Sequence, residues 1–326
     1  MNDEREMKAW VYTRYGPPEV VQLKTVERPL PKDNEVLIRI HATTVNRTDC
    51  GFRSAEYFIS RFFTGLLKPK NQILGNEFAG EIVAVGTNTN TYKIGDRVFG
   101  YNDRTMGGHA QYLALPETAT FTTIPSDMSY SEAAPICEGS HYALCDIRAA
   151  KVKSGQRTLV YGATGAIGSA AVQLLKHFGA HVTAVCHTNY IDLVKSLGAD
   201  EVIDYTKSDY TNTQNKYDLV FDAVGKTSFG KCKPVLTEKG IYISTELGKN
   251  SENIRFAIST SFFKGKRVLF PIPTFSHDDL NFLKTLVEKK IYRPVLDRIF
   301  KFEEMHEAYH FVETGQKIGN VVITVE

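Results

Sequence analysis

No CxxC pair and no cysteine-rich stretch occur in this chain. Its five cysteines, Cys50, Cys137, Cys145, Cys186 and Cys232, are odd in number and widely scattered. Free thiols in a reducing cytoplasm fit this pattern better than a disulfide framework. No apolar run is long enough to cross a bilayer, so no membrane partner is expected. The opening residues Met1-Asn2-Asp3-Glu4-Arg5-Glu6 are charged and hold no apolar core of the kind a secretory signal requires. Neither sign of charge is in excess: 39 Lys and Arg against 37 Asp and Glu leave +2. This removes the bulk electrostatic case for nucleic acid or an anionic membrane surface. Internal repeats and low-complexity segments are missing as well. What is there is 326 residues, 42% hydrophobic and 23% charged, ordinary for a soluble globular protein and enough for two domains.

Residues 7 to about 128 read as β-rich. Val36-Leu37-Ile38-Arg39-Ile40, Glu81-Ile82-Val83-Ala84-Val85 and Arg97-Val98-Phe99-Gly100-Tyr101 are β-branched or aromatic runs separated by Gly and Pro turns. Short strands at this density predict a partly closed barrel. From about 130 the pattern alternates: strand 157–161, helix 166–178, strand 181–186, helix 190–197, strands 201–203 and 217–222, helix 227–236 and strand 239–245. Such alternation predicts a doubly wound parallel sheet. Lys266-Arg267-Val268-Leu269-Phe270, followed by Pro271, fits an edge strand. A helix is expected from Asp278 to Glu288, and Gly319–Val325 reads as a strand returning to the first domain. The expected division is 1–128, 129–275 and a C-terminal segment 276–326 that rejoins the first domain.

The most informative stretch is Gly162-Ala163-Thr164-Gly165-Ala166-Ile167-Gly168. It follows the apolar run Thr158-Leu159-Val160-Tyr161 and opens a helical pattern of Ala170, Ala171, Leu174, Leu175 and Phe178 that Gly179 ends. Strand, glycine turn, then helix is the arrangement that seats a dinucleotide pyrophosphate on a helix N-terminus. The spacing is GxxGxxG, and its strand–turn–helix context strengthens it.

These pieces together resemble the medium-chain dehydrogenase/reductase superfamily, in its zinc-free quinone oxidoreductase-like branch. The resemblance covers nearly the whole chain. It rests on Met7-Lys8-Ala9, Val45-Asn46-Arg47-Thr48-Asp49, Gly75-Asn76-Glu77-Phe78-Ala79-Gly80, Gly95-Asp96-Arg97-Val98 and Gly107-Gly108-His109-Ala110-Gln111-Tyr112, in that order. The glycine turn, Leu197-Gly198-Ala199-Asp200, Phe221-Asp222-Ala223-Val224-Gly225 and Gly319-Asn320-Val321-Val322 complete it. It implies an α/β protein: a GroES-like β-barrel domain fused to a Rossmann domain, with a nicotinamide between them. The implied activity is hydride transfer from NADPH to quinones, enones or related carbonyl compounds, by a homodimer joined through sheet edges. An NADP-linked alcohol or aldehyde dehydrogenase is the alternative within the class. A non-catalytic NADPH-binding sensor or structural protein is the alternative outside it.

Zinc members of the superfamily carry a cysteine where Asn46 stands and a histidine where Asn76 stands. Amides are poor zinc ligands beside thiolate or imidazole, so no metal is expected. Cys137 falls near a third ligand position but lacks partners. His306-Glu307-Ala308-Tyr309-His310 spells HExxH on a predicted helix. The segment after it reads as a turn and a terminal strand, with no place for a third ligand, so the metalloprotease reading fails for want of context.

For the cofactor, no carboxylate sits at the end of the second Rossmann strand, where NAD-binding relatives grip the ribose diol. His187 and Thr188 are candidate donors to a 2′-phosphate, or else solvent-facing loop residues. Tyr205 matches a family tyrosine beside that phosphate. Ala223, Val224 and Gly225, with Ser244 and Thr245, follow strand ends and are expected to line the nicotinamide ribose. Asn320 joins the cofactor set through the resemblance. For the reaction, Asn46 is a candidate donor to substrate or nicotinamide amide, oriented by Asp49; alternatively, the two residues cap the local turn and helix. Ser140 or His141 would relay a proton, or cap or pack the helix running toward Leu144. The insert Tyr57-Phe58-Ile59-Ser60-Arg61-Phe62-Phe63 would form an apolar lid or core.

Overall fold

The computed structural model describes residues 5–56, 61–262 and 264–325. It divides into two compact units: residues 1–138, 276–288 and 296–326, and residues 139–275 and 289–295. In chain order, the first unit begins with strands β1 (Glu6–Val11), β2 (Gln22–Glu27) and β3 (Glu35–Val45) and helix α1 (Arg47–Ser54). Strands β4 (Glu77–Val85), β5 (Arg97–Tyr101), β6 (Tyr112–Pro116) and β7 (Phe121–Thr123) follow. Helix α2 (Cys137–Ala150) leads into the second unit, which holds β8 (Arg157–Tyr161), α3 (Ala166–His177), β9 (His181–Cys186), β10 (Glu201–Asp204), β11 (Tyr217–Asp222), β12 (Leu236–Ser244), α4 (Glu252–Ser261) and β13 (Arg267–Leu269). The first unit resumes with β14 (Leu296–Lys301), α5 (Met305–Glu313) and β15 (Asn320–Thr324).

In the first unit one sheet runs β14-β15-β3-β4-β5-β7, with β6 also paired to β3, while β1 and β2 form a separate antiparallel pair. β3 carries the near-continuous apolar run expected of a strand with neighbours on both sides; Val36, Leu37, Ile38 and Ile40 are all buried. Its partners bring Phe78, Ile82, Phe121, Val321 and Ile323 into one core with Met305 and Tyr309 of α5. β15 lies between β14 and β3, antiparallel to β3, with Val321 opposite Val45.

The second unit is a six-stranded parallel sheet in the order β10-β9-β8-β11-β12-β13. The earliest strand lies inside and the order reverses beside it, which makes a doubly wound sheet with its ligand crevice at the carboxyl ends. α3 buries Ala170, Ala171, Leu174 and Leu175, and Gly179 at φ +78° ends the helix, as the sequence pattern predicts.

Several boundaries differ from expectation. The division falls between Glu138 and Gly139, ten residues beyond 128, because the backbone N–H groups of Cys137 and Glu138 donate to Glu77 of β4. Residues 289–295 belong with the second unit: Gln173 and Arg293 exchange two hydrogen bonds there. The helix expected over 227–236 is a turn at Phe229–Cys232 and a 3₁₀ turn at Lys233–Val235, and β12 starts at Leu236. Pro234 has no N–H to extend the helix. Helix α4 was not foreseen. Tyr57 to Ser60 of the aromatic insert lie outside the described residues; Arg61–Thr64 form one helical turn and Phe62 is exposed.

Candidate active site

In the first unit, Asn46 directly follows β3 and caps α1. Its side-chain oxygen accepts from the Asp49 N–H at 3.0 Å, and Asp49 returns the bond to the Asn46 N–H at 3.1 Å, a reciprocal capping box. The second Asp49 oxygen accepts from the Gly75 N–H at 3.0 Å. One buried carboxylate thus ties the loop of Asn46 to the loop of Asn76. The Asn46 amide donates to the Asn76 oxygen at 2.7 Å, with Thr44 Oγ1 at 3.5 Å. The Asn76 amide in turn donates to Glu138 at 2.9 Å. Thr48 donates to the other Glu138 oxygen at 2.5 Å. Behind this chain, Glu77 accepts from the N–H groups of Cys137 and Glu138 and from the Thr44 hydroxyl at 2.7 Å.

Burial sets the acidities. It pushes Glu77 up to about 8, helped by the charge of Glu138. It pushes Glu138 and Asp49 each up to about 7. The Cys137 thiol rises well above its usual value for the same reason, so it is an inert buried thiol. His109, fully buried, is pulled down to about 4 and bonds the Thr44 carbonyl at 2.8 Å and the Tyr309 hydroxyl at 3.3 Å. Glu77 and Glu138 were not singled out from the sequence. The signal was available: a carboxylate opening an apolar strand, and another following Ala133-Ala134-Pro135-Ile136-Cys137.

The HExxH histidines have other employment. His306 Nε2 lies 2.6 Å from the Val21 carbonyl and His310 Nε2 lies 2.8 Å from Glu19. No group of three or more potential metal ligands is assembled among the described residues.

In the second unit the glycine turn closes as expected. Gly162 has φ +78°, and a Cβ there would lie 2.6 Å from Val224; a Cβ on Gly168 would lie 2.1 Å from the Gly162 carbonyl oxygen. Gly165 is the N-cap of α3 and has no side chain to cap it. A Cβ there would meet nothing nearer than 3.8 Å, so the space over the helix N-terminus is open for a phosphate. The residues present therefore fit a dinucleotide diphosphate, with Ala163, Thr164, Ala166 and Ile167 completing the cradle.

The neighbouring strand ends carry the other expected residues. Asp222 holds the Ala223–Gly225 loop: one oxygen accepts from the N–H groups of Val224 and Gly225, and the other from the hydroxyls of Tyr242 and Ser244. The Ser244 hydroxyl is therefore turned inward, while the Thr245 N–H bonds the Asp222 carbonyl at 3.1 Å. His187 accepts the Asn189 N–H through Nδ1, and its ring packs edge-on to Tyr205, which is 52% exposed. The Thr188 hydroxyl is spent on Asp204, whose carboxylate also takes the Thr206 hydroxyl and is held well below the usual range by these bonds. Ser140 and His141 lie buried in the first turns of α2, and the His141 ring sits 5.2 Å from Phe275. Asn320 is buried in the first unit, where β15 begins.

Comparison with known proteins agrees with both halves. Residues 32–126 match the model of the alcohol dehydrogenase GroES-like domain, and residues 197–323 that of the zinc-binding dehydrogenases. The chain is 32% identical to 2-methylene-furan-3-one reductase of Solanum lycopersicum, over 98% of this chain and 79% of that one. It is 30% identical to the chloroplastic NADPH-dependent alkenal/one oxidoreductase of Arabidopsis thaliana, over 98% and 80%. The solved quinone oxidoreductase of Coxiella burnetii superposes with a TM-score of 0.86 at 28% identity, covering 98% of this chain and all of that one. The chain belongs to the medium-chain dehydrogenase/reductase superfamily, in its quinone oxidoreductase-like branch, and is an oxidoreductase.

Proposed function

We propose that the chain is an NADPH-dependent reductase of α,β-unsaturated carbonyl or quinone substrates that works without zinc. The observation that carries this reading is the hydrogen-bond chain Asn46–Asn76–Glu138. At the positions where zinc relatives hold thiolate and imidazole, this chain places two amides that satisfy one another. Such a donor set is poor for zinc. Bound at the glycine turn, a reduced nicotinamide nucleotide supplies the hydride; the protein supplies position and charge stabilisation. Among relatives, the names of the tomato and Arabidopsis enzymes point to enone and alkenal reduction rather than alcohol oxidation. The preference for NADPH rests on His187 and Tyr205, which stand together at the ends of β9 and β10 with no free carboxylate beside them, Asp204 being engaged by threonine hydroxyls.

The test is loss of nicotinamide absorbance with a panel of enones, quinones and aldehydes, using NADPH and NADH in parallel, before and after exhaustive chelation. Turnover of enones or quinones with NADPH, unchanged by chelation, supports the reading. Chelator-sensitive turnover of alcohols or aldehydes assigns the zinc dehydrogenase reaction instead. Tight NADPH binding without turnover makes the chain a sensor. The five free thiols support a reducing cytoplasm as its location. The edge strand β13, with exposed Ile258 of α4, exposed Phe262 at the end of that helix and exposed Ile272 nearby, supports a homodimer built on this face.

A further inference from the structure

Asp222 ends β11 in the middle of the parallel sheet, paired with Tyr161 of β8 on one side and Ser244 of β12 on the other. The residue is fully buried. One carboxylate oxygen accepts from the N–H groups of Val224 at 3.2 Å and Gly225 at 2.9 Å, and the Thr227 N–H bonds the same carboxylate. The other oxygen accepts from the Tyr242 hydroxyl at 3.0 Å and the Ser244 hydroxyl at 3.3 Å. One oxygen therefore serves the loop that follows β11, and the other anchors that loop to β12.

The loop so held is confined on two sides. The Ala223 N–H donates to the carbonyl of Tyr161, the residue before Gly162, at 3.0 Å. Val224 then covers Gly162: a Cβ on that glycine would stand 2.6 Å and 2.7 Å from the two Val224 methyl carbons. On the other side Gly225 has φ +63°, and a Cβ there would meet Glu246 Cγ at 2.6 Å. Gly162 passes the contact on. Its carbonyl accepts the Gly165 N–H at 3.3 Å and would lie 2.1 Å from a Cβ on Gly168. Hydrogen bonds and close packing thus run from Asp222 through Val224 to Gly162 and the N-cap of α3, all within the second unit.

We propose that Asp222 is a positioning residue for the dinucleotide: it fixes Val224 against Gly162 and so sets the turn that receives the diphosphate. The inference rests on the dinucleotide reading of that turn. Asp222 acts through Val224 rather than by contact with the nucleotide. Removing its carboxylate strands the N–H groups of Val224, Gly225 and Thr227, which then draw the loop toward water or another acceptor and away from Gly162. An asparagine keeps one oxygen toward the loop, and the hydroxyls of Tyr242 and Ser244 turn to accept from its NH₂. Alanine therefore releases the loop and asparagine retains it. The shape of the diphosphate turn is set in part by a strand-end side chain 54 positions beyond its last glycine, Gly168.

The experiment titrates NADPH calorimetrically into the full-length wild type, Asp222→Ala, Asp222→Asn, Val224→Ala and the double variant Asp222→Ala/Val224→Ala, each checked for folding by thermal melt. Asp222→Ala is expected to bind at least about tenfold more weakly. Asp222→Asn is expected to stay within about threefold of wild type. Val224→Ala is expected to lose about fivefold, and the double variant no more than Asp222→Ala alone, since both residues act on one path. Losses that add would mean that Asp222 acts independently of Val224, and they overturn the proposal. So does wild-type affinity in folded Asp222→Ala, or an Asp222→Asn as weak as Asp222→Ala. Should Asp222→Ala not fold, wild-type affinity in Val224→Ala overturns it equally. Each of these results leaves the dinucleotide reading intact as long as the wild type binds NADPH. A wild type that binds neither NADPH nor NADH sinks both.

Discussion

Asp49 holds Gly75: one carboxylate oxygen takes the Gly75 N–H at 3.0 Å while the other takes that of Asn46. Two loops far apart in sequence are fixed by one side chain that solvent does not reach. In Asp49→Asn the new amide NH₂ would face a backbone N–H, donor against donor. The expected cost is about 2 kcal/mol, read as a lowered urea midpoint with an unchanged slope. An unchanged midpoint would show that the clamp contributes nothing.

The buried acids give stability a pH dependence of definite sign. Asp49 and Glu138 titrate near 7 and Glu77 near 8 in the folded chain, above their unfolded values. The native state therefore binds more protons than the unfolded one between about pH 4 and 8, so these groups make stability fall as pH rises there. His109, down at about 4, acts oppositely between about 4 and 6.5. Between about 6.5 and 8, only the acids among these groups titrate. Glu138→Gln keeps the shape and removes one charge, so it should stabilise the protein by about 2 kcal/mol at pH 8 and leave it nearly unchanged at pH 4. Thermal melts across pH test this; a gain that is equal at both pH values contradicts it.

Gly168→Ala should fold yet lose dinucleotide. The added methyl would press on the Gly162 carbonyl, with Ala163 Cα at 3.0 Å, and distort the turn that faces the diphosphate. At least a tenfold weaker NADPH affinity, about 1.4 kcal/mol, is expected by calorimetric titration. Wild-type affinity would mean that the diphosphate lies elsewhere.

His306→Ala should cost stability rather than metal. The imidazole bonds the Val21 carbonyl and packs edge-on against Trp10 at 4.9 Å between ring centroids. A loss of about 1–3 kcal/mol with metal content identical to wild type is the expected result. A metal stoichiometry that falls with the substitution would reinstate the HExxH motif.

For the dimer, sedimentation at micromolar concentration should give twice the 36.5 kDa chain mass. Ile258→Glu with Phe262→Glu should reduce it to the single-chain mass while NADPH still binds. A wild-type monomer would end the proposal.

The glycine turn was legible because its requirement is local: Gly162 and Gly168 are needed for backbone geometry that no other residue type meets, and the flanking strand and helix announce themselves by periodicity. The barrel strands were legible from β-branched runs. Glu77 and Glu138 were not, since a lone charge in a sequence is ordinarily a solvated one. Only the packing of residues 130–138 on β4 shows that these two are buried together. The capping role of Asn46 and Asp49 could be read from their spacing, whereas the reach of Asp49 to Gly75, 26 positions away, could not.

The placement of β15 in the interior of its sheet sets an order on biosynthesis. Residues 320–324 must be inserted between β14 and β3, so strands made early wait for one made almost 300 residues later. The parallel sheet of residues 157–269 closes from consecutive chain and has no such delay. A nascent chain emerging from the ribosome would thus carry a finished nucleotide-binding module beside an open, apolar β3 edge, and that interval is when the protein most needs a chaperone.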